Sequence, residues 1–314
     1  MTLPTKAHIR NHYIRTKRDD ELSAHLDWMV QNAKECLEGG GGKQRCLFIL
    51  GQSGTGKTRT LLEHFKNRPE FQPYEGEGGE VVSPLLSLEA PSPCNTKTLA
   101  SALLTAMHIP HHGRLSEYQL SAMLKRQLRE RGVLFVHIDE MQHVLSSGTR
   151  KNIQSVQDVL KSLVQVEGWP LHTIYSGMPE LAVFLEGDRQ LANRSRVMRF
   201  QLLSEKHVPF VEQTVTEIVT AHFQITPGWK DNDELYAKLI VAASGSLGTL
   251  IEMVQEACFH ALSENTCLNL KSFQAVYFSK TGCIPQDNVF TARNWREIIP
   301  SNSLADLHRG NIKG

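Results

Sequence analysis

The sequence predicts an α/β fold in which helices cover both faces of a parallel sheet, followed by a small all-helical domain. As far as Leu203, short apolar runs that suit buried strands alternate with helical patterns, as in repeated strand–helix–strand units. After Leu203 the apolar residues recur at helical spacing, with little strand character. The third observation is a glycine-rich turn at 51–58, which joins the first predicted strand directly to a helix.

Five apolar runs are predicted as strands of the sheet. They are 45–50, 80–90, 132–140, 171–177 and 196–203. The first is short, apolar after Arg45 and bounded by turn residues, which is typical of a strand buried on both faces. Helical spacing predicts helices at 19–37, 95–107, 115–131 and 153–165. Asn95 is the predicted N-cap of one helix, and a Ser116–Gln119 capping box begins another.

These patterns divide the 314 residues into four segments. We expect an N-terminal arm and helix with a Gly-rich connector at 1–42, an α/β domain at 43–204, a helical domain at 205–280, and a flexible or partner-binding tail at 281–314. The connector contains the glycines Gly39–Gly42, which break the helical pattern and predict a flexible link. The tail is polar and irregular, with scattered anchors such as Phe290 and Trp295.

Composition narrows the class of protein. Hydrophobic residues make up 40% and charged residues 21%, which is ordinary for a globular chain. The net charge of +1 excludes a global basic excess, so any nucleic-acid contact must use a local patch. The six cysteines form no C-x-x-C pair, and no apolar run approaches the roughly 20 residues of a membrane span. With no signal-peptide pattern at the N-terminus, we expect a cytoplasmic protein with reduced thiols.

The stretch GQSGTGKT at 51–58 matches the phosphate-binding pattern G-x-x-x-x-G-K-[ST] in full. Its glycines let the backbone fold around phosphates, and the next helix adds the positive end of its dipole. Lys57 should reach the β- and γ-phosphates of ATP, and the Thr58 hydroxyl should ligate Mg²⁺. The predicted nucleotide-binding residues are Gly51, Ser53, Gly54, Thr55, Gly56, Lys57, Thr58 and Arg59.

The third predicted strand ends in two adjacent carboxylates, Asp139 and Glu140. If this strand ends beside the phosphate-binding loop, Asp139 would hold Mg²⁺ through water, and Glu140 would orient or deprotonate the attacking water. A second acid beside the metal-binding aspartate favours an ATPase over small GTPases and nucleotide kinases, which generally lack it. The sequence therefore predicts hydrolysis of ATP with Mg²⁺.

Two further sets of residues are candidates for the chemistry. Ser176 ends the fourth predicted strand, where it would sense the γ-phosphate, orient water, or simply begin a turn before Gly177. Four arginines lie in the segment 188–200. Arg194 is the first candidate and Arg196 the second for an arginine that reaches the γ-phosphate on a neighbouring subunit; the alternative is a set of solvated surface arginines.

Four stretches together resemble one family. GQSGTGKT, FVHIDEMQHVL, LKSLVQVEGWPLHTIYSGMPEL and DRQLANRSR occur in the order and register of the AAA+ ATPases of DNA transposons known as TniB and TnsC, which are relatives of MuB. The resemblance runs roughly from His8 to Phe278. It implies an AAA+ fold with a helical lid and an ATP-dependent regulator that forms rings or helical oligomers on double-stranded DNA. Such proteins bridge a TniQ-like target selector to a TnsB-like transposase, and in CRISPR-associated transposons the selector is attached to an RNA-guided complex.

The resemblance also implies DNA contacts. Family members place them near the start of the helix after the second strand and in nearby loops. The matching residues are Lys97, Thr98, Arg150 and Lys151. The alternative is that these side chains are only solvated surface groups. Contacts to phosphates give little sequence preference, and an oligomer can sum a few of them per subunit.

Other interpretations remain open from the sequence. An AAA+ helicase loader or replication-origin factor would share the fold and the DNA. A STAND-type signalling ATPase would use nucleotide without DNA, but such proteins usually add long repeat or effector domains that this sequence does not contain. Many AAA+ proteins carry a nucleotide-contacting arginine in the segment that corresponds to 242–253, and its absence here predicts slow turnover.

Overall fold

The computed structural model describes residues 13–146, 149–230 and 234–300, without the side chains of Ser146 and Arg150. Their contacts divide the chain into two compact units. The α/β unit comprises 15–53 and 57–200. The helical unit comprises the described residues from 201 onward, together with 13–14 and the short segment 54–56.

A five-stranded parallel sheet forms the centre of the α/β unit, as the sequence predicts. Its strands are β1 (Cys46–Gly51), β4 (Leu85–Glu89), β5 (Phe135–Asp139), β6 (His172–Gly177) and β7 (Ser195–Phe200). The order across the sheet is β4-β5-β6-β1-β7. Every residue of β1, β5 and β6 is buried, because these central strands are covered on both faces.

Helices pack on both faces of this sheet. They are α1 (Lys17–Leu37), α2 (Lys57–Asn67), α3 (Thr96–Ala106), α4 (Glu117–Glu130), α5 (His143–Ser146), α6 (Arg150–Leu163), α7 (Val183–Glu186) and α8 (Arg189–Ala192). Successive side chains of β1 point to opposite faces. Leu47 and Ile49 therefore join a core with α1 and α2, whereas Phe48 and Leu50 join a core with α3, α4 and α6.

The predicted strand at 80–90 is two elements rather than one. Strands β2 (Tyr74–Glu75) and β3 (Val81–Val82) form an antiparallel hairpin, and β4 begins only at Leu85. Pro84 separates them, because proline has no N–H to donate to a sheet. Its carbonyl oxygen accepts hydrogen bonds from the backbone N–H groups of Leu134 and Phe135, which begins the pairing of β4 with β5.

The predicted helix starts are confirmed at two helices and wrong at a third. The Asn95 side chain accepts from the N–H of Thr98, and Ser116 forms the capping box with Gln119. The helix predicted at 153–165 begins three residues earlier, at α6. The side chain of Thr149 accepts from the N–H of Asn152 and so caps the helix before its apolar pattern starts.

The Gly-rich connector is anchored, contrary to the flexible link that the sequence predicts. The side-chain oxygen of Asn32, on α1, accepts from the N–H of Gly42 at 2.6 Å, and its amide nitrogen donates to the carbonyl of Gln44 at 3.0 Å. The same nitrogen lies 2.8 Å from Nε2 of His172, at the start of β6. Nδ1 of His172 lies 2.8 Å from the Pro170 carbonyl oxygen, which can only accept, so His172 carries its proton on Nδ1.

Acid should weaken the fold through His172. Burial lowers the pKa of His172 to about 4, whereas histidine in the unfolded chain titrates near pH 6.5. Between these values the unfolded chain binds more protons, so the free energy of unfolding falls as pH decreases from about 6.5 to about 4. We expect His172→Gln to lose less stability over this range than the parent protein, as measured by urea denaturation at each pH. An equal loss of unfolding free energy in both proteins would show that the lowered pKa of His172 does not cause the acid destabilisation.

The helical unit contains α9 (Val208–Thr216), a π-helical turn (Glu217–His222), α10 (Leu235–Ala242), α11 (Leu247–Ser263) and α12 (Leu270–Thr281). Its core is apolar and includes the edge-to-face pair of Phe223 and Phe259, with ring centroids 4.9 Å apart. Within the described ranges, no single helix is both long and apolar enough to cross a membrane. Helices α10 and α11 pass that test only together, as a pair bent by 118°.

The segment after α12 is not a free tail as far as the structure describes it. Phe290 stacks on Phe273 of α12 with ring centroids 5.6 Å apart, and Trp295 is buried in the same core. The guanidinium carbon of Arg296 lies 4.2 Å from the centroid of the Trp295 ring, and its Nη2 lies 2.8 Å from Oε1 of Glu234. Aromatic burial therefore makes residues up to 300 part of the helical unit, and 301–314 lie outside the described residues.

Candidate nucleotide-binding site

The phosphate-binding loop lies between the end of β1 at Gly51 and the start of α2 at Lys57. Gly54 and Gly56 have φ values of +74° and +93°, in the left-handed region that favours glycine. The spacing of the glycines in the motif therefore has a backbone reason. The strand–turn–helix arrangement expected around the motif is present, with the N-terminus of α2 at the loop.

Lys57 is buried at the start of α2. Its Nζ donates to the carbonyl oxygens of Gly51 at 2.6 Å and Gln52 at 3.0 Å. Burial lowers the pKa of Lys57, whereas the carboxylates of Asp139 and Glu140 oppose that shift. The ammonium group is thus held by the loop itself, close to the two acids that the sequence places in the same site.

Asp139 joins the loop to the end of β5. Its Oδ2 accepts from the Thr58 hydroxyl at 2.5 Å, and its Oδ1 accepts from the Ser176 hydroxyl at 2.5 Å and from the N–H of Glu140 at 2.9 Å. Burial by itself raises the pKa of Asp139, but the hydrogen bonds from Ser176 and Thr58 outweigh it and hold the pKa below its usual range. The side chain is therefore an ionised acceptor.

The oxygens of Thr58 and Asp139 fit Mg²⁺. This ion prefers hard oxygen ligands and is usually bound by one or two protein groups, with waters and phosphates completing its shell. In the described part of the chain, no group of three or more His, Cys, Asp and Glu side chains is arranged to hold a metal. A site of two protein oxygens beside a phosphate-binding loop suits Mg²⁺ better than zinc, which takes three or four nitrogen and sulfur ligands.

Glu140 has a backbone conformation that is rare for its residue type. Its φ is +53°, in the left-handed region that non-glycine residues adopt uncommonly. Its Oε2 accepts a short hydrogen bond from Nε2 of Gln142, and Oε1 of Gln142 accepts from the N–H of Met178 at 3.1 Å. Gln142 thus ties the predicted base to the turn after β6. Gln142 was not predicted from the sequence, since only its place two residues after Glu140 sets it apart.

Ser176 lies near the end of β6, within hydrogen-bonding distance of Asp139 on the neighbouring strand. Its side chain is fully buried, and its hydroxyl contacts Asp139 Oδ1 and, at 2.8 Å, Nε2 of His137. This geometry directs the Ser176 hydroxyl to the carboxylate, whereas the sequence left three roles open: sensing the γ-phosphate, orienting water, or beginning a turn before Gly177. His137, in the middle of β5, was missed because a buried histidine in an apolar strand resembles a core residue.

Arg194 lies at the opposite end of the sheet from its own phosphate-binding loop. Its carbonyl oxygen accepts from the N–H groups of Arg45 and Cys46, at the start of β1. Since a strand rises about 3.3 Å per residue, the start of β1 is roughly 17 Å from Gly51. The guanidinium lies beside the side-chain amide of Gln165 and is half-buried. Arg194 is thus badly placed for its own nucleotide site.

Arg196, the second candidate, is engaged within its own unit. Its guanidinium carbon lies 3.7 Å from the ring centroid of Trp28 on α1, and its Nε donates to the side chain of Gln44 at 3.4 Å. Stacking of this kind orders an arginine on an aromatic face. Arg194 and Arg196 therefore both make contacts within their own unit, Arg194 with Gln165 and Arg196 with Trp28 and Gln44.

The candidate DNA-contacting residues have different surroundings. Lys97 Nζ donates to the Gly113 carbonyl at 2.7 Å. Thr98 is part of the cap of α3, where its hydroxyl accepts from the N–H of Asn95 and donates to the Pro93 carbonyl. Lys151 is exposed at the start of α6, and the side chain of Arg150 lies outside the described residues. Thr98 is therefore the capping-box partner of Asn95, a structural role that the sequence did not predict.

Comparison with known proteins identifies a family. The model of the family described as Bacterial TniB protein matches residues 6–205, which is more than half of the chain. A search of curated proteins finds no match.

Solved structures share the fold at low sequence identity. Cdc6p from Pyrobaculum aerophilum is 14% identical, with a TM-score of 0.61 over 88% of this chain and 71% of that one. ORC1 from Aeropyrum pernix, solved in complex with DNA, is 16% identical, with a TM-score of 0.58 over 89% and 71% of the two chains. ORC2 from Aeropyrum pernix, solved as ADPNP–ADP complexes, is 15% identical, with a TM-score of 0.56 over 87% and 69%. These neighbours confirm the predicted AAA+ fold.

Proposed function

Because the chain belongs to the TniB family and has the fold of an AAA+ ATPase, we propose that it hydrolyses ATP with Mg²⁺ to control its own assembly on double-stranded DNA. One observation carries the proposal. The hydrogen bond between Thr58 Oγ1 and Asp139 Oδ2 joins the phosphate-binding loop to the acidic end of β5. These are the two protein groups that a nucleotide-bound Mg²⁺ requires in P-loop ATPases.

In the proposed reaction, an oxygen of water forms a bond to the γ-phosphorus as the bond to the β–γ bridging oxygen breaks. Glu140 takes the proton of that water, and Gln142 holds its carboxylate in place. Lys57 offsets charge on the β- and γ-phosphates. Mg²⁺, when bound through Thr58 and Asp139, would stabilise the negative charge that develops on the leaving ADP. The products are ADP and phosphate.

A second subunit completes the proposed site. Because Arg194 lies at the far end of the sheet from its own loop, it can serve catalysis only at a neighbour's nucleotide. A head-to-tail arrangement of identical chains places one such arginine at each interface, and such contacts close into rings or continue as helical filaments. This supports a homo-oligomer whose assembly and hydrolysis are coupled.

DNA is the proposed scaffold for that oligomer. Lys97 and Lys151 are the candidate phosphate contacts, and one AAA+ fold neighbour was solved in complex with DNA. The net charge of +1 is compatible with this role, since many subunits each supply a few contacts. The TniQ-like selector and the TnsB-like transposase are the proposed protein partners. The six free thiols fit a reducing compartment, so we place the activity in the cytoplasm.

Electron microscopy with and without ATP and duplex DNA tests this function. We expect rings or filaments only when both are present, and none with Lys57→Ala, which removes the phosphate-binding ammonium. DNA affinity should fall steeply as salt rises from about 50 to about 200 mM, because phosphate contacts release counterions. Assembly that ignores DNA would support a STAND-type switch instead. Assembly that requires a replicative helicase would support the loader alternative.

A further inference from the structure

Three neighbouring strands carry a continuous line of hydrogen bonds to Asp139. Ser87 on β4 is the direct strand partner of His137 on β5, and its hydroxyl lies 2.8 Å from Nδ1 of that histidine. Nε2 of His137 lies 2.8 Å from the hydroxyl of Ser176 on β6. Ser176 in turn lies 2.5 Å from Oδ1 of Asp139. The line runs from an exposed residue on an edge strand to the buried side of the proposed magnesium ligand.

The chemistry of these groups fixes the direction of each bond. An ionised carboxylate only accepts hydrogen bonds, so Ser176 must donate its single hydroxyl proton to Asp139. The Ser176 oxygen can then only accept from His137, which therefore carries a proton on Nε2. His172, on β6, has the opposite arrangement, with its proton on Nδ1.

We propose that His137 is a positioning residue for the ATP hydrolysis proposed above. Its Nε2–H holds the Ser176 oxygen, so that the Ser176 proton can point only at Oδ1 of Asp139. With Oδ1 held by Ser176 and by the N–H of Glu140, the other oxygen, Oδ2, is turned towards Thr58. His137 thus acts on the metal-binding side of the carboxylate through one intervening hydroxyl. The inference rests on the proposed function.

Removal of the His137 N–H should loosen this arrangement. Ser176 is fully buried, so bulk water does not replace the lost donor, and its hydroxyl becomes free to turn away from the carboxylate. A purely structural role is the alternative, because the His137 and Phe65 rings also pack edge-to-face with centroids 5.1 Å apart. The two roles differ in what they do to catalysis: only positioning alters kcat and the response to Mg²⁺.

Steady-state kinetics of matched variants separates these roles. His137→Leu removes the donor, and His137→Gln keeps an N–H near the position of Nε2. His172→Leu is the control, because His172 is also buried in this sheet but, among the residues that the structure describes, its ring hydrogen-bonds to Asn32 and Pro170 and not to the site. We expect His137→Leu to lower kcat about 10–100-fold and to raise the Mg²⁺ concentration for half-activation, as for other groups that orient a metal ligand. His137→Gln should restore most of both. Equal effects of His137→Leu and His172→Leu would overturn the proposal.

Nitrogen NMR of the histidine rings tests the inference without any turnover. The signal that is present in the parent protein and absent from His137→Gln belongs to His137, and we expect it to show a proton on Nε2. A ring without that proton would overturn the proposal even if the ATPase is active and His137→Leu fails to fold. If the parent protein lacks ATPase activity, the proposed function fails, whereas the NMR result still decides the hydrogen-bond direction.

Discussion

Replacing Glu140 by Gln is expected to abolish most ATP hydrolysis while leaving ATP binding close to that of the parent protein. The amide has the shape of the carboxylate and can still accept from Gln142, but it cannot take a proton from water. Loss of a general base costs about 10²–10⁴ in rate. Phosphate release measures the loss, and equilibrium binding of a fluorescent ATP analogue measures what is kept.

The same substitution should trap the assembled state. If hydrolysis controls disassembly, Glu140→Gln should form complexes with ATP and DNA that outlast those of the parent protein. Glu89 offers a matched control, because it ends β4 as the strand partner of Asp139 and is exposed. Glu89→Gln removes the same charge from the neighbouring strand end and should leave turnover and disassembly unchanged. A Glu140→Gln protein that disassembles at the normal rate would contradict the role given to Glu140.

Replacing Arg194 by Ala should remove the second half of a site that two subunits share. An arginine supplied to a neighbour's γ-phosphate is worth about 10³–10⁵ in rate, so turnover should fall by at least about 10³-fold. ATP binding by the single subunit should survive, because Arg194 lies at the other end of the sheet from its own loop. Arg189→Ala is the control, since Arg189 is exposed in the same segment and should leave turnover unchanged.

Mixing two inactive variants tests whether the site is shared. Glu140→Gln lacks the base of its own site but binds ATP, assembles and keeps Arg194, and Arg194→Ala has the reverse defect. In an equal mixture of head-to-tail subunits, about a quarter of the interfaces combine an intact site with an intact arginine. Phosphate release should recover to about that fraction of the parent rate. Activity that stays at the level of the separate variants would refute a shared site.

Local patterns in the sequence predict much of this molecule. The phosphate-binding loop, the acidic pair Asp139–Glu140 and the caps at Asn95 and Ser116 all depend on residues a few positions apart. Apolar periodicity likewise predicts the buried strands of the sheet, because their composition follows from burial on both faces. Where Pro84 interrupts an apolar run, periodicity alone predicted one strand, whereas the structure has two, β3 and β4.

Contacts between residues far apart in the chain could not be predicted in this way. Asn32 meets His172 across 140 positions because α1 packs on the sheet, and His137 meets Ser176 across 39 because β5 and β6 pair. The sequence around His137 and His172 does not indicate such partners, since a histidine in an apolar strand resembles a core residue. The direction of the Ser176 hydroxyl follows only from the groups that surround it.

The sequence by itself determined that this chain has a parallel α/β sheet and where its phosphate-binding and acidic motifs lie, because those features are set by short-range spacing and by the alternation of strand and helix patterns. The AAA+ fold was implied by the resemblance of its motifs to one family. Only the tertiary structure decided how the motifs are held together. It joined Thr58 to Asp139, placed His137 behind Ser176, and put Arg194 at the far end of the sheet. The physical reason is that the directions and partners of hydrogen bonds depend on which strands pair, and strand order is a property of the whole fold.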